Sequence, residues 1–470
     1  MKYRTVIGLE IHAELNTASK VFCSCDTAFG QQSNTAVCPF CVGMPGTLPS
    51  LNQRAVELAV KAGLAFGCDI QETSSFDRKN YYYPDLPKAY QITQFFSPIA
   101  LNGSLEVMGE IIPIERIHIE EDAGKLYHKG ESTLADYNRS SVPLIEIVTA
   151  PKITSAKMAR AFAERVARVL SYIEVCDCKM EQGSLRIDVN VSVCPEDGDT
   201  LGTRTEIKNL NSFRAVEHAI DAEAKRQIEI LEKGGKVLMQ TLHFDDVKGA
   251  LTILRTKEEK VDYRYFPEPD IPEIILSKEY IENIQRSLPS LPDQVERKLI
   301  EKYSLTEETA YQISDKKWVA ELFEAAAIGT ENIKTLTSLF ITELPRIKKV
   351  YAEKPCLLEA EEIAKLCNLV EDRKVNNNSA KEIFEELFLT GKKALNIAEE
   401  KGLLITISKK DIERAVQEVI ESNPNAVKQF ITGSQKVFGF LMGQVSKKLN
   451  GAADPVIVRY ALETKLNKLK

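Results

Sequence analysis

Two periodicities take turns along the chain. From Ile7 to Leu15, the apolar residues Ile7, Leu9, Ile11, Ala13 and Leu15 alternate with Gly8, Glu10, His12 and Glu14. A period of two predicts a half-buried strand, with one face in a core and the other carrying the polar groups. The alternation returns over 111–122, where Ile112, Ile114, Arg116, His118 and Glu120 share one parity and Glu115, Ile117, Ile119 and Glu121 the other. It is cleanest over Ser184–Val193, which sets Leu185, Ile187, Val189, Val191 and Val193 against Arg186, Asp188, Asn190 and Ser192. Thr203–Lys208 repeats it, with Arg204, Glu206 and Lys208 on the polar parity. Between these, Pro143–Val148 is an apolar run broken only by Glu146, a carboxylate that is costly to bury unpaired.

Helical spacing predicts helices over Gln53–Phe66, Lys157–Tyr172 and Ser212–Lys233, the last stopped by Gly234-Gly235. Around Ser287–Pro292 the alternation disappears and helical spacing takes over, which predicts a domain boundary near residue 290. Beyond it, Val319, Leu322, Phe323 and Ala326 lie on one stripe. Ser379-Ala-Lys-Glu382 reads as a capping box opening a helix through Leu387, closed by Gly391. Asp411 begins another helix, and Gly433–Gly443 predicts one more, leading to Lys447-Lys448.

Composition changes this picture little. A chain of 470 residues with 44% hydrophobic and 27% charged residues is ordinary globular protein of two to four domains. No apolar run is long enough to cross a bilayer, and Met1-Lys2-Tyr3-Arg4 leads straight into a strand, so a cytoplasmic protein without a secretion signal is expected. The net charge of −7 argues against wholesale coating of nucleic acid. From Asn423 onward, however, eight Lys/Arg face two acids, a local excess of +6. Embedded in apolar periodicity, this tail reads as a small folded module with a phosphate-seeking face, although short basic tails are often only solubilising.

Three features carry candidate chemistry. Cys23-Ser-Cys25 and Cys38-Pro-Phe-Cys41 are two close pairs separated by a loop, spaced to surround one structural zinc tetrahedrally. Phe76–Asp85 and Tyr263–Asp270 interleave aromatics with basic residues and prolines; each could stack a base and hold a phosphate, or be a well-packed turn. Third, at least three predicted strands present acids among cations on one face. Residues two apart on a strand lie roughly 6.5–7 Å apart, a span over which Glu10 and His12 could share a divalent metal. A wet sheet face is the bland alternative for any one strand, and the recurrence across strands favours the metal. The run Glu120-Glu121-Asp122 repels itself unless cations sit among it. No phosphate loop of the Gly-x-x-x-x-Gly-Lys-Ser/Thr kind occurs, so any ATP would be held by metal and basic side chains on a sheet. No amidase-like nucleophile segment is visible either, so any ammonia would come from elsewhere.

Taken in order, Val6–His12, Phe76–Asp85, His118–Lys125, Met180–Asp188, Glu206–Phe213 and Tyr263–Asp270 resemble the family of B subunits of the aspartyl/glutamyl-tRNA(Asn/Gln) amidotransferases, of the bacterial and organellar type, from end to end. The resemblance implies an α+β fold: an antiparallel-sheet cradle (kinase) domain related to glutamine synthetase over residues 1–290, with a zinc-binding insert at 23–41. An all-α helical domain (291–408) and a small helical tail domain contacting tRNA (409–470) would follow. It implies partners in a heterotrimer, namely an amidase (the A subunit) that frees ammonia from glutamine, and a small C subunit. It implies the cofactors ATP, Mg²⁺ and structural Zn²⁺. Glu10, His12 and Glu121, with Glu120, Glu146 and Asp188, would hold Mg²⁺ against ATP, and Lys79 would stabilise the transferring phosphoryl group. Asn190, Glu206, Lys208, Tyr81, Tyr82 and Arg264 would contact ATP or substrate, and Lys436, Lys447 and Lys448 the tRNA. The acceptor would be the side-chain carboxylate of a mischarged Glu-tRNA(Gln) or Asp-tRNA(Asn), phosphorylated and then amidated. Two other functions fit the residues without the family: a zinc-containing tRNA-binding scaffold, and a ligase using free ammonia on a small carboxylate.

Overall fold

The computed structural model describes residues 2–469 except 198–199, 247, 257–261, 406–408, 432–435, 450–452 and 454, and except the side chains of Thr256 and Lys436. The chain forms two compact units, Met1–Pro292 and Asp293–Lys470.

The first unit is built on a nine-stranded sheet. Its strands are β1 (Tyr3–Glu14), β2 (Asp69–Ile70), β3 (Ala100–Val107), β4 (Glu110–Glu121), β5 (Pro143–Thr149), β6 (Leu185–Pro195), β7 (Thr205–Leu210), β8 (Gln240–Asp245) and β9 (Ala250–Thr256). Their order is β9-β8-β7-β6-β1-β5-β4-β3-β2, with the longest strands central. All neighbours run antiparallel except the parallel pair β7–β8. Alternation decides the faces, as the sequence predicts. Ile7, Leu9, Ile11 and Ala13 of β1 and Ile187, Val189 and Val191 of β6 are buried in one core. Helices α1 (Gln53–Ala65), α2 (Ala156–Tyr172) and α3 (Phe213–Glu232) cover that side, contributing Phe162, Val166, Val216 and Ile220 to the same core. Burying a Leu, Ile, Val or Phe side chain contributes about 1.5–3 kcal/mol, which fixes the register, because a slip of one residue would turn these groups to the other face.

Local signals set the helix ends. The Ser155 and Ser212 hydroxyls accept from Met158 N and Ala215 N at the starts of α2 and α3. Gly234, in the left-handed region at φ 73°, ends α3, with Gly235 N donating to Ile230 O at 2.9 Å. A small three-stranded sheet, Tyr90–Thr93 with Asp77–Asn80 and Phe266–Pro267, joins the two aromatic-basic segments that the sequence presents separately.

The second unit is entirely helical among its described residues, an all-α unit after an α+β one, as expected. The capping-box reading of Ser379 is corrected. The helix runs Asn377–Thr390, its cap is Asn376, whose side chain accepts from Asn378 N and Ser379 N, and Ser379 lies buried inside the first turn. Gly391 closes this helix at φ 63°. The last four helices, Lys409–Ser422, Pro424–Ile431, Lys436–Lys448 and Pro455–Asn467, share a core of Val416, Val419, Leu441, Val445, Val458 and Leu462. No helix among the described residues is long and apolar enough to cross a membrane.

Candidate active site

Strand pairing gathers the polar groups on the face opposite α1–α3. Across the sheet, Arg186 of β6, His12 of β1, Glu146 of β5 and His118 of β4 stand opposite one another in a row. One step along, Asp188 pairs with Glu10 and Arg116 with Val148. Glu120 lies two residues beyond His118, on its side of the strand. His12 Nε2 approaches Glu120 at 3.3 Å and Glu146 at 3.6 Å, and His118 Nε2 approaches Glu146 at 3.2 Å and Glu120 at 3.8 Å. Two imidazoles and two carboxylates thus share one small, nearly buried space. Burial opposes the extra proton on His12, but Glu146 and Glu120 outweigh it and raise its pKa to about 10. His118 is raised by the same carboxylates against the same burial. Burial would raise Glu120 and Glu146, yet the histidines hold both well below the ordinary carboxylate value. The space is built for positive charge.

A second group adjoins it. Glu10, Asp188 and Glu206 bring carboxylate oxygens within 4.8 Å of one another. Asn190 Nδ2 donates to Glu10 at 2.9 Å, and Lys208 Nζ bridges Asp188 at 2.7 Å and Glu206 at 3.0 Å. Burial, then Glu146 and Asp188, raise the pKa of Glu10, so this carboxylate also favours a cation beside it. Three oxygen acids at this spacing suit a hard divalent ion such as magnesium, and His12 with Glu120 and Glu146 forms a second, mixed set.

Two joined cavities hold these groups. The smaller, about 280 Å³, is lined by both acid groups with Lys79, Arg116, Lys208, Arg255, Tyr263 and Tyr265. The larger, about 500 Å³, shares His12, Lys79, Glu120, Asp188 and Lys208 and extends past Tyr81, Arg139 and Arg186 to Gln182, Asn209 and Asn211. Lys79 enters from the small sheet with its ammonium 5.0 Å from the Tyr263 ring centre. Burial disfavours its charge, but Glu120, Tyr265 and Glu146 keep its pKa above the usual value.

Glu121, expected among the metal ligands and catalytic groups, is corrected. It has the opposite parity to Glu120, beside Ile117 and Ile119, and its carboxylate is 1 % exposed on the other side of the strand. There it accepts from Lys88 Nζ at 2.6 and 2.7 Å, from Ile92 N at 2.9 Å and from the Ser141 hydroxyl. The repulsion in Glu120-Glu121-Asp122 is thereby resolved residue by residue: histidines for Glu120, Lys88 for Glu121, and Arg139 and Arg186 for Asp122. Tyr82 is 93 % exposed, and it lines neither cavity. Arg264 is exposed too and lines neither, while its neighbours Tyr263 and Tyr265 face the smaller one. Asn190 reaches the site through Glu10, and Tyr81 lines the larger cavity. Arg78, next to Lys79 on the same short strand, is committed to Glu268 at 2.7 and 2.8 Å and Asp270 at 3.0 Å. In the tail, Lys447 and Lys448 are exposed, Lys448 pairing with Glu418 at 2.5 Å; the Lys436 side chain lies outside the described residues.

Sequence reasoning left Arg116, His118 and Arg255 out of the site residues and reached Tyr263 and Tyr265 only as part of the aromatic-basic segment Tyr263–Asp270. The parity shared by Arg116, His118 and Glu120 was the signal for the first two.

The four cysteines converge as their spacing predicts. Cys41 Sγ lies 3.5 Å from Cys23, 3.7 Å from Cys38 and 3.8 Å from Cys25. Tetrahedral Zn–S bonds of about 2.3 Å separate sulfurs by about 3.8 Å, so the donor set fits zinc. Lys20, fully buried, donates to Cys41 Sγ at 3.3 Å, a counter-charge for thiolate. The hydrogen bond from Cys23, with Lys20, pulls the Cys41 thiol down to about 4.

Comparison with known proteins places this architecture. Residues 5–282 match the GatB/GatE catalytic domain family and residues 321–466 the GatB domain family. The B subunit of aspartyl/glutamyl-tRNA(Asn/Gln) amidotransferase from Caldicellulosiruptor bescii is 48% identical over 480 residues, covering all of both chains. That of Caldanaerobacter subterraneus subsp. tengcongensis is 46% identical over 477 residues, again covering all of both. The chain belongs to the family of B subunits of the aspartyl/glutamyl-tRNA(Asn/Gln) amidotransferases.

Proposed function

We propose that this chain is the ATP-dependent subunit of a glutamine-dependent tRNA amidotransferase. It phosphorylates the side-chain carboxylate of glutamate on Glu-tRNA(Gln), or of aspartate on Asp-tRNA(Asn), and ammonia then displaces phosphate to leave the amide. The observation that carries this reading is the convergence of five carboxylates, drawn from five strands, with Lys79, Arg116 and Lys208 in one cavity. Such a set binds metal and triphosphate without a phosphate loop.

Glu10, Asp188 and Glu206, with His12, Glu120 and Glu146 beside them, would hold Mg²⁺, which when bound neutralises phosphate charge. Lys79, Arg116 and Arg255 line the same cavity and supply cationic donors to the phosphoryl oxygens as charge shifts during transfer. The cysteine cluster would hold structural Zn²⁺, having no open position for substrate. Ammonia would come from the amidase (A subunit) of a heterotrimer completed by a small C subunit. Lys447 and Lys448 of the tail would engage the tRNA body, with binding that weakens as salt rises.

The test is ATP turnover by the chain assembled with its partner subunits, with and without each mischarged tRNA. Hydrolysis should require the mischarged tRNA, and Glu146→Gln should reduce it at least 100-fold while leaving the Kd for tRNA within about twofold. ATP turnover indifferent to tRNA, or unaffected by Glu146→Gln, would overturn the reading.

A further inference from the structure

Segment 135–141 links the cysteine loop to the wall of the larger cavity. Asn34, in the loop between the cysteine pairs, donates from Nδ2 to Ala135 O at 2.9 Å and accepts at Oδ1 from Tyr137 N at 2.8 Å. Its own N–H donates to Asp136 Oδ1 at 3.2 Å. Asn138 accepts from Ala36 N at 2.9 Å and donates to Gln32 O at 2.7 Å. Lys20 Nζ reaches both Cys41 Sγ and Tyr137 O, at 3.3 and 3.2 Å. Cysteine loop and segment are therefore one hydrogen-bonded body.

Arg139 projects from that body into the larger cavity. It touches Ala123 O at 3.2 Å and Asp122 at 3.0 Å, both through Nε; among the described residues its terminal nitrogens have no hydrogen-bond partner. Arg186 also pairs with Asp122, at 3.0 Å, so two guanidinium groups share this one carboxylate. Gln182, Asn209 and Asn211 continue the same cavity with amide donors and acceptors. The carboxylates that suit metal-bound triphosphate line the smaller cavity, whereas this wall offers guanidinium to phosphodiester and amides to ribose and base edges.

We propose that Arg139 binds the ribose-phosphate end of the aminoacylated RNA, and that the cysteine loop, through Asn34, positions it. This rests on the proposed function, in which ATP and aminoacyl-tRNA occupy the two joined cavities.

Two variants of the assembled enzyme test it. Arg139→Gln removes the guanidinium. Asn34→Gly removes only the side-chain hydrogen bonds, since Asn34 sits at φ 60°, a conformation glycine adopts without strain. Arg139→Gln should raise the KM for mischarged tRNA at least tenfold, with kcat and the KM for ATP within twofold. Asn34→Gly should raise the same KM threefold or more with zinc content and Tm unchanged, a split that loss of fold would not produce. Equilibrium binding of Glu-tRNA(Gln), without ATP, should weaken in parallel. A rise in the KM for ATP alone, or Asn34→Gly behaving as wild type while Arg139→Gln does not, would overturn the proposal. Because the binding measurement needs no turnover, it reads Arg139 even if the kinase reading fails.

Discussion

The cysteine cluster and the acid cluster are both fit to hold metal, and they are built on opposite plans. The first takes four like donors from one loop, aimed at one point and backed by a buried lysine. The second takes unlike donors from separate strands, Glu10 to Glu206 in sequence, fixed by sheet register and interleaved with Lys208, His12 and His118. A closed set of thiolates holds its ion and folds a loop around it. Carboxylates on a rigid sheet, each already facing a cation or an amide donor, keep their positions whether or not an ion is present, which suits ligands that come and go.

The difference can be broken in order of effect. Cys41→Ser should be the most damaging change, because it removes one of the four thiols proposed to hold zinc and leaves buried Lys20 without its thiolate; about 5 kcal/mol or more is expected. Metal content and the urea midpoint would show it, and a variant that kept both would sink the structural role of this cluster. Glu121→Gln should cost about 3 kcal/mol by leaving Lys88 buried without its counter-charge, while ATP turnover survives at permissive temperature. Lost turnover in a folded Glu121→Gln protein would return this residue to the active site.

Alkaline pH sharpens the comparison more gently. In metal-free protein the pKa of His12 is raised from 6.5 to about 10, so its contribution to stability is complete below about pH 6.5 and is lost as pH rises through 10. For Cys41 it is depressed from 9.0 to about 4, so its contribution is complete above pH 9 and is lost as pH falls through 4. Between pH 7 and 9 the two oppose each other, so chemical denaturation of metal-free protein should show its midpoint decline from pH 9 to pH 10, a decline that magnesium restores. A His12→Asn variant with an unchanged decline would place the titration elsewhere.

Much of this was legible in residue order. Strict alternation disclosed β1, β4 and β6 and their polar face, and cysteine spacing disclosed the second cluster. The choice between Glu120 and Glu121 was also there, in their parities relative to Ile117 and Ile119, and favouring Glu121 went against it. What stayed hidden depends on partners remote in sequence. Arg78, Lys79 and Lys88 look alike on their loop, yet Glu268 and Glu121 claim two of them and only Lys79 is left to the cavity. Strand β8 and the edge strand β9 carry too mixed a pattern to announce themselves, so Arg255 went unnoticed.

Sliding β4 by a single position would exchange its two glutamates, carrying Glu121 toward His12 and Glu120 toward Lys88, and would turn His118, on the same strand, away from the site. The same slide would expel Ile117 and Ile119, both completely sequestered, into water. Isoleucines with no chemistry of their own thus proofread which acid reaches His12, and a chain that has paired wrongly is discarded by its own greasy side before it can misplace a charge.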